Sequence, residues 1–244
     1  MSFLDKLVVI SGGNNGIGKE TLQQFNDLGA KTVVIDKEEA MVECNYYYQG
    51  DLSKKEVLDD FLEEFSKRYS KVDVLVNNAC FSNKGILSGC NYESFLEVIK
   101  VGLVTPYYLS LKLKNLFSKD SSIINIASTR AFMSQPDTES YSSAKGGIVA
   151  LTHALAASLA GKVRVNVISP GWIDNSRSTW SEADYEQHFT RTIGTPEDIA
   201  NMVLFLASDK ARFINGENII IDGGMTKNMI YHNDYNWVYK KEGE

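Results

Sequence analysis

The chain is expected to fold as α/β, a doubly wound parallel sheet with helices on both faces. Three observations predict this. Short Val- and Ile-rich runs alternate with longer segments of helical periodicity. The first run leads straight into a glycine-rich loop that opens a helix. The second run ends on an acidic residue, Asp36, about twenty positions after that loop.

The apolar runs are Leu7–Ile10, Thr32–Ile35, Val72–Val76, Ile123–Ile126, Val163–Ile168 and Asn218–Ile221. Nearly continuous β-branched character marks strands buried on both faces. Tyr46-Tyr47-Tyr48 reads as a further strand, because no basic cluster surrounds it to make a base-stacking platform. Between the runs, Ile17, Leu22, Phe25 and Leu28 share one helix face, and Gly29 follows at the capping position. A second helix is expected from Ser53, with Glu56 at capping-box spacing and Val57, Leu58, Phe61, Leu62 and Phe65 as its apolar face. Thr195-Pro196-Glu197-Asp198 supplies a capping hydroxyl, a first-position proline and acids at the positive end of the helix dipole. Residues 1–225 are expected to form a single domain, and 226–244 an aromatic-rich tail that packs on the segment near 175–194, where the family resemblance given below implies a substrate lid, or on a partner subunit.

Composition narrows the function. Of 244 residues, 43% are hydrophobic and 23% charged, as in a globular domain. The net charge of −6 argues against a nucleic-acid partner, which needs a basic face. No apolar stretch approaches the ~18 residues of a membrane span, so no membrane partner is expected. Cys44, Cys80 and Cys90 are odd in number and widely spaced, which supports neither a disulfide framework nor a metal site. A reducing compartment fits, and the cytoplasm is the default address.

The loop Ser11-Gly12-Gly13-Asn14-Asn15-Gly16-Ile17-Gly18 is a phosphate cradle. Glycine lets the backbone turn sharply and approach a pyrophosphate at the helix N-terminus. Asp36 can accept hydrogen bonds from the adenosine ribose and repels a 2′-phosphate. No Arg or Lys lies in the loop or just before Asp36, so NAD is favoured over NADP, with Lys37 the one contrary residue.

Tyr141 and Lys145 lie four apart, on one helix face. Tyr108 and Lys112 show the same spacing, but only Tyr141 is preceded, at thirteen residues, by a hydroxyl just past a strand end, Ser128. Lysine and an oxidised nicotinamide nearby favour the phenolate, which lets tyrosine exchange a proton with an alcohol near neutral pH. Ser128 can hold the substrate oxygen.

Together these motifs resemble the short-chain dehydrogenase/reductase family over about residues 5–225. Gly12, Gly16 and Gly18 match its glycine loop, with Ser11 in place of threonine. Asp51-Leu52 is similar to its adenine-pocket pair, and Asn77-Asn78-Ala79 to its N-N-A-G strand end. Ser128, Tyr141 and Lys145 match its catalytic triad. Pro170-Gly171-Trp172-Ile173 resembles its P-G motif, and Asp222-Gly223-Gly224 its closing motif. The resemblance implies a Rossmann-type sheet of about seven strands and a homodimer or homotetramer. It also implies NAD contacts from Gly12, Asn14, Asn15, Gly16, Ile17, Gly18, Asp36, Asp51, Leu52, Asn78, Ala79, Tyr141, Lys145, Pro170, Gly171 and Ile173, with no metal. The expected activity is NAD(H)-dependent interconversion of a small secondary alcohol and a ketone. The alternatives are an NAD-binding protein with weak or no catalysis, serving a binding or regulatory role, and lyase or epimerase chemistry with retained cofactor.

Three positions depart from the family pattern. Gly102 stands where the family carries an asparagine that pins a relay water. The missing side chain is expected to leave room for a second water, so that Gly102→Asn is neutral or modestly faster. Cys80 replaces the glycine of N-N-A-G, as a small buried hydrophobe or, alternatively, a redox-sensing thiol. Asn175 stands where threonine is frequent, and the lid after it is polar, which slightly favours a compact polar substrate such as a sugar or polyol over a sterol, although solvent exposure alone explains the same composition.

Overall fold

A computed structural model describes residues 2–176 and 178–239. Seven strands form one parallel sheet: β1 (Leu7–Ser11), β2 (Lys31–Asp36), β3 (Tyr46–Gln49), β4 (Val72–Asn77), β5 (Phe117–Ile126), β6 (Val163–Pro170) and β7 (Asn218–Ile221). Their spatial order is β3-β2-β1-β4-β5-β6-β7. The chain moves outward in one direction from β1 to β3, then returns to place β4 on the other side of β1. The switch point therefore lies between β1 and β4, where open α/β sheets form a crevice at the carboxyl ends of the strands.

Helices cover both faces. They are α1 (Gly16–Asp27), α2 (Lys55–Arg68), α3 (Tyr92–Ile99), α4 (Thr105–Leu113), α5 (Glu139–Ser158), a short α6 (Glu182–Glu186) and α7 (Pro196–Ala207). A π-helical turn at Lys100–Val104 joins α3 to α4. Alternation along the strands divides the core into two layers. Val9, Val33, Leu75, Ile123 and Val165 face α2, α4 and α5, against Phe61, Phe65 and Leu109. Val8, Ile10, Val34, Val76, Ile124 and Ile168 face α1 and α7, against Phe25, Ile199 and Val203. This is why the strands read as unbroken apolar runs.

Most local signals act as expected. Thr195 and Asp198 form a reciprocal capping box on α7 with Pro196 inside it. Gly29 follows α1 with φ +83°, a left-handed position that glycine adopts without strain. One differs. The expected box from Ser53 to Glu56 does not form: α2 starts at Lys55 with Lys54 as its uncapped N-cap. The Ser53 amide instead donates to the Asp51 carboxylate at 2.9 Å. Asp51 closes its own two-residue turn first, and so takes the donor that would have begun the helix. Among the described residues no helix is long and apolar enough to cross a membrane.

At the opposite end of the sheet from the switch-point crevice, Asp73 is 5% exposed, accepts the Leu7 amide at 2.9 Å, and pairs with Lys6 and Lys71. Burial raises its carboxyl pKa, but the amide and the two ammonium groups outweigh that and hold it below the usual value. The stability it carries is complete above the ordinary carboxylate pKa and is lost as pH falls through the depressed folded value. Asp73→Ala orphans the Leu7 amide and should cost about 1–3 kcal/mol. It should also flatten the acid limb of the stability–pH curve, as denaturant melts at several pH values will read.

Candidate active site

The carboxyl ends of β1, β2, β4, β5 and β6 open on one cleft of about 640 Å³. Its walls begin with the first loop. The hydroxyl of Ser11 accepts the amides of Asn78 and Ala79 at 3.2 and 3.3 Å, and Asn78 Nδ2 donates to the Gly12 carbonyl at 2.7 Å. These bonds fasten the glycine loop to the end of β4. A Cβ on Gly18 would lie 1.9 Å from the Gly12 carbonyl oxygen, so only glycine lets α1 start this close to the loop. Asn15 is the N-cap of α1 yet makes no side-chain cap; its amide group turns to Glu38 Oε2 at 2.9 Å. The first-turn N–H groups of α1 thus receive no capping side chain, which is the arrangement that takes a phosphate. The cradle fits a pyrophosphate.

Asn14 has a different place from the one expected. It is 1% exposed and does not line the cleft. Its amide N–H donates to Asp36 Oδ2 at 3.0 Å, its side-chain nitrogen to the Glu39 carbonyl, and its side-chain oxygen accepts from Met41. It shapes the loop around Asp36. Gly18 likewise stands behind the wall, whereas Gly12, Asn15, Gly16 and Ile17 line it.

Asp36, Lys37 and Glu38 line the far end, with Asp51 and Leu52 beside them. Burial raises the Asp51 carboxyl pKa, but the Ser53 amide and hydroxyl, with Lys37 and Lys54, bring it below the usual range. Glu38 escaped the sequence reading. Its partner Asn15 was legible as a loop residue, but only the folded turn brings the two together.

The opposite end holds Ser128, Tyr141 and Lys145, with Pro170, Gly171, Ile173 and Asn175 across from them; Asn78 and Ala79 form the middle. Ser128 is 8% exposed, and its oxygen accepts the Arg130 amide at 3.2 Å. That leaves the hydroxyl hydrogen free to donate. Lys145 is 3% exposed and its ammonium donates to the Ile126 carbonyl at 2.6 Å. The same Nζ lies 5.5 Å from the centre of the Tyr141 ring. Behind them a buried chain of hydrogen bonds, Asn77 to Asn125 to Thr152, each link 2.8 Å, ties β4, β5 and α5 together.

Asp174 organises the start of the segment 174–194. Its carboxylate accepts from the Ser176 hydroxyl and amide, the Ser178 amide and the Trp180 indole, which bring its pKa down to about 2. Trp180 packs edge-on against Trp172 at 4.8 Å. At the segment's other end, the Thr190 amide donates to the Gly223 carbonyl at 3.1 Å, so Asp222-Gly223-Gly224 supports it. Beyond it the tail curls on itself, and Met229, Ile230, Tyr231, Trp237, Val238 and Tyr239 stay exposed.

Gly102 departs from expectation. The space a side chain there would enter holds the thiol of Cys80: a Cβ built on Gly102 would lie 2.7 Å from its Sγ. The room expected for a second water is filled by sulfur. Among the described residues no group of three or more His, Cys, Asp or Glu side chains gathers as a metal site.

The family model described as enoyl-(acyl carrier protein) reductase matches residues 12–226. An uncharacterized oxidoreductase of Thermotoga maritima is 40% identical, over 93% of this chain and 98% of its own. The 3-oxoacyl-[acyl-carrier-protein] reductase of Chlamydia pneumoniae is 29% identical, over 93% of this chain and 99% of its own. The solved structure of an apo SCOR enzyme from Clostridium thermocellum is 47% identical, superposes with a TM-score of 0.89, and matches 98% of this chain and 100% of its own. With the seven-stranded sheet and a glycine cradle at its switch point, these likenesses make the chain a member of the short-chain dehydrogenase/reductase family of oxidoreductases.

Proposed function

We propose that this oxidoreductase uses NAD(H) to interconvert a small secondary alcohol and its ketone, with Ser128, Tyr141 and Lys145 at the reacting end of the cleft. One observation carries the reading. A lysine ammonium is buried at a strand end, beside a tyrosine and a serine that open on the same cleft as a phosphate cradle. With one carbonyl as its hydrogen-bond partner, the ammonium keeps donors to offer to a ligand in the cleft.

Gly12, Gly16, Ile17 and the start of α1 would hold the pyrophosphate, Asp36 the adenosine ribose, and Asp51, Leu52 and Ala79 the adenine side. Pro170, Gly171 and Ile173 would face the nicotinamide. Bound there, the cofactor supplies or accepts the hydride. Ser128 donates its free hydrogen to the substrate oxygen and fixes it beside Tyr141. Tyr141, with the Lys145 ammonium 5.5 Å from its ring centre, takes the alcohol proton in oxidation and returns it in reduction. The relative named for 3-oxoacyl reduction supports the ketone–alcohol class. The hydrogen-bonded, polar lid favours a compact polar substrate.

NAD over NADP rests on charge. Two carboxylates, Asp36 and Glu38, line the adenosine end, and Asn15 rather than a basic residue faces them. A 2′-phosphate there meets two like charges and one lysine, Lys37. The tail, with its exposed aromatic groups, is assigned to a contact with a second subunit in a homodimer or homotetramer. Cys44, Cys80 and Cys90 are free thiols, in keeping with a cytoplasmic enzyme.

Tyr141→Phe should cut turnover by about 10²-fold or more while NADH affinity stays within about 0.6 kcal/mol of wild type. Lys145→Ala should harm both. Retained turnover in Tyr141→Phe points to a different base. NAD(H) should bind at least about tenfold more tightly than NADP(H), about 1.4 kcal/mol. Asp36→Ala should narrow the gap only partly, and Asp36→Ala with Glu38→Ala should narrow it further, by fluorescence titration; equal wild-type affinities contradict the assignment. Deleting 227–244 should lower the mass in solution by light scattering, and an unchanged mass would remove the tail from the interface.

A further inference from the structure

Two departures from the family pattern touch each other. Cys80 lies near the start of the loop after β4, and Gly102 lies buried in the π-helical turn between α3 and α4. A Cβ on Gly102 would lie 2.7 Å from Cys80 Sγ and 3.0 Å from Ala144 Cβ. Ala144 is the residue before Lys145 and is fully buried in α5. One turn of α5 further on, a Cβ on Gly147 would lie 2.7 Å from Leu103 Cδ2, so the π-turn packs closely on α5 there too. Gly102 is not in the left-handed region, so glycine is required here for space and not for backbone conformation.

We infer that Cys80 and Gly102 act as one coupled unit that positions Lys145. In the family pattern the side chain comes from the helix turn and glycine from the strand end; here the volume has moved to the strand end. The thiol fills the gap between the π-turn and Ala144. A second side chain entering from position 102 pushes on Ala144, and so on the ammonium that bonds the Ile126 carbonyl at 2.6 Å. Cys80 also lines the cleft, next to Phe81 and Val101, so displacing its sulfur narrows the space offered to the cofactor. Cys80 is a positioning residue and takes no proton in the reaction.

This inference deepens the oxidoreductase reading and rests on it for its catalytic half. The test is a double-mutant cycle of wild type, Cys80→Gly, Gly102→Asn and Cys80→Gly/Gly102→Asn. Melting temperature and NADH affinity are read on all four, and kcat and KM on any substrate the wild type accepts. Gly102→Asn alone should melt at least about 3 °C lower through overpacking. It should bind NADH more weakly by about fivefold, about 1 kcal/mol. At saturating NADH its kcat should fall while the substrate KM changes little, because the displaced ammonium no longer keeps its place beside Tyr141. Cys80→Gly alone should melt lower by opening a cavity. The double variant should recover at least half of each loss. A Gly102→Asn protein as stable and as tight for NADH as wild type overturns the coupling, as does a double variant whose losses are the sum of the single ones. If the wild type turns over no alcohol or ketone but melting and NADH affinity are still non-additive, the coupling stands and the catalytic reading fails.

Discussion

The site depends on one bond: the ammonium of Lys145, nearly removed from solvent, donating to the carbonyl of Ile126 at 2.6 Å. That bond pins α5 to the carboxyl end of β5. One helical turn earlier, on the same face, stands Tyr141. Just past the same strand end stands Ser128. Three residues from two elements thereby meet at one end of a cleft whose other end is the glycine cradle. A charge this deeply buried tolerates little movement of its neighbours, which is why the packing at Ala144, Gly102 and Cys80 bears on chemistry and not only on stability.

The sheet sets where that end lies. With β1 and β4 adjacent but their chains running outward in opposite directions, the loops after them diverge and leave a crevice. The hydroxyl of Ser11 and the amide of Asn78 hold the crevice floor, and the Asn77–Asn125–Thr152 chain keeps the buried polar groups of β4, β5 and α5 paired. The two core layers press helices on both faces and hold the strand ends level. The segment after β6 is built differently: one carboxylate, Asp174, gathers four donors, so its order comes from local hydrogen bonds.

Much of this was legible in the residues, because strong local patterns and long-range packing agree. Val- and Ile-rich runs became the strands, Tyr46–Tyr48 became the sheet edge, and Thr195 with Asp198 capped α7. Ser128, Tyr141 and Lys145 line the cleft as their spacing suggests, whereas Tyr108 and Lys112 lie away from it. The failures share a cause. Ser53 loses its capping role because Asp51 competes for its amide; Asn14 turns away from the cleft to brace Asp36. Glu38 and Cys80 gain their places from contacts across the fold that spacing does not encode. Gly102 looked like a hole, since a sequence shows which side chain is missing but not which neighbour fills the space.

Hydride transfer at the Ser128–Tyr141–Lys145 end of the cleft can be followed with a labelled hydride. The purified protein is incubated with NADH deuterated at the transferable C4 position and with a panel of compact ketones and ketoses, and products are read by mass spectrometry and chiral chromatography. At least one compound should give an alcohol carrying one deuterium at its carbinol carbon, on a single stereochemical face. An alcohol formed without deuterium, or no product across the panel while NADH binds tightly, would contradict it.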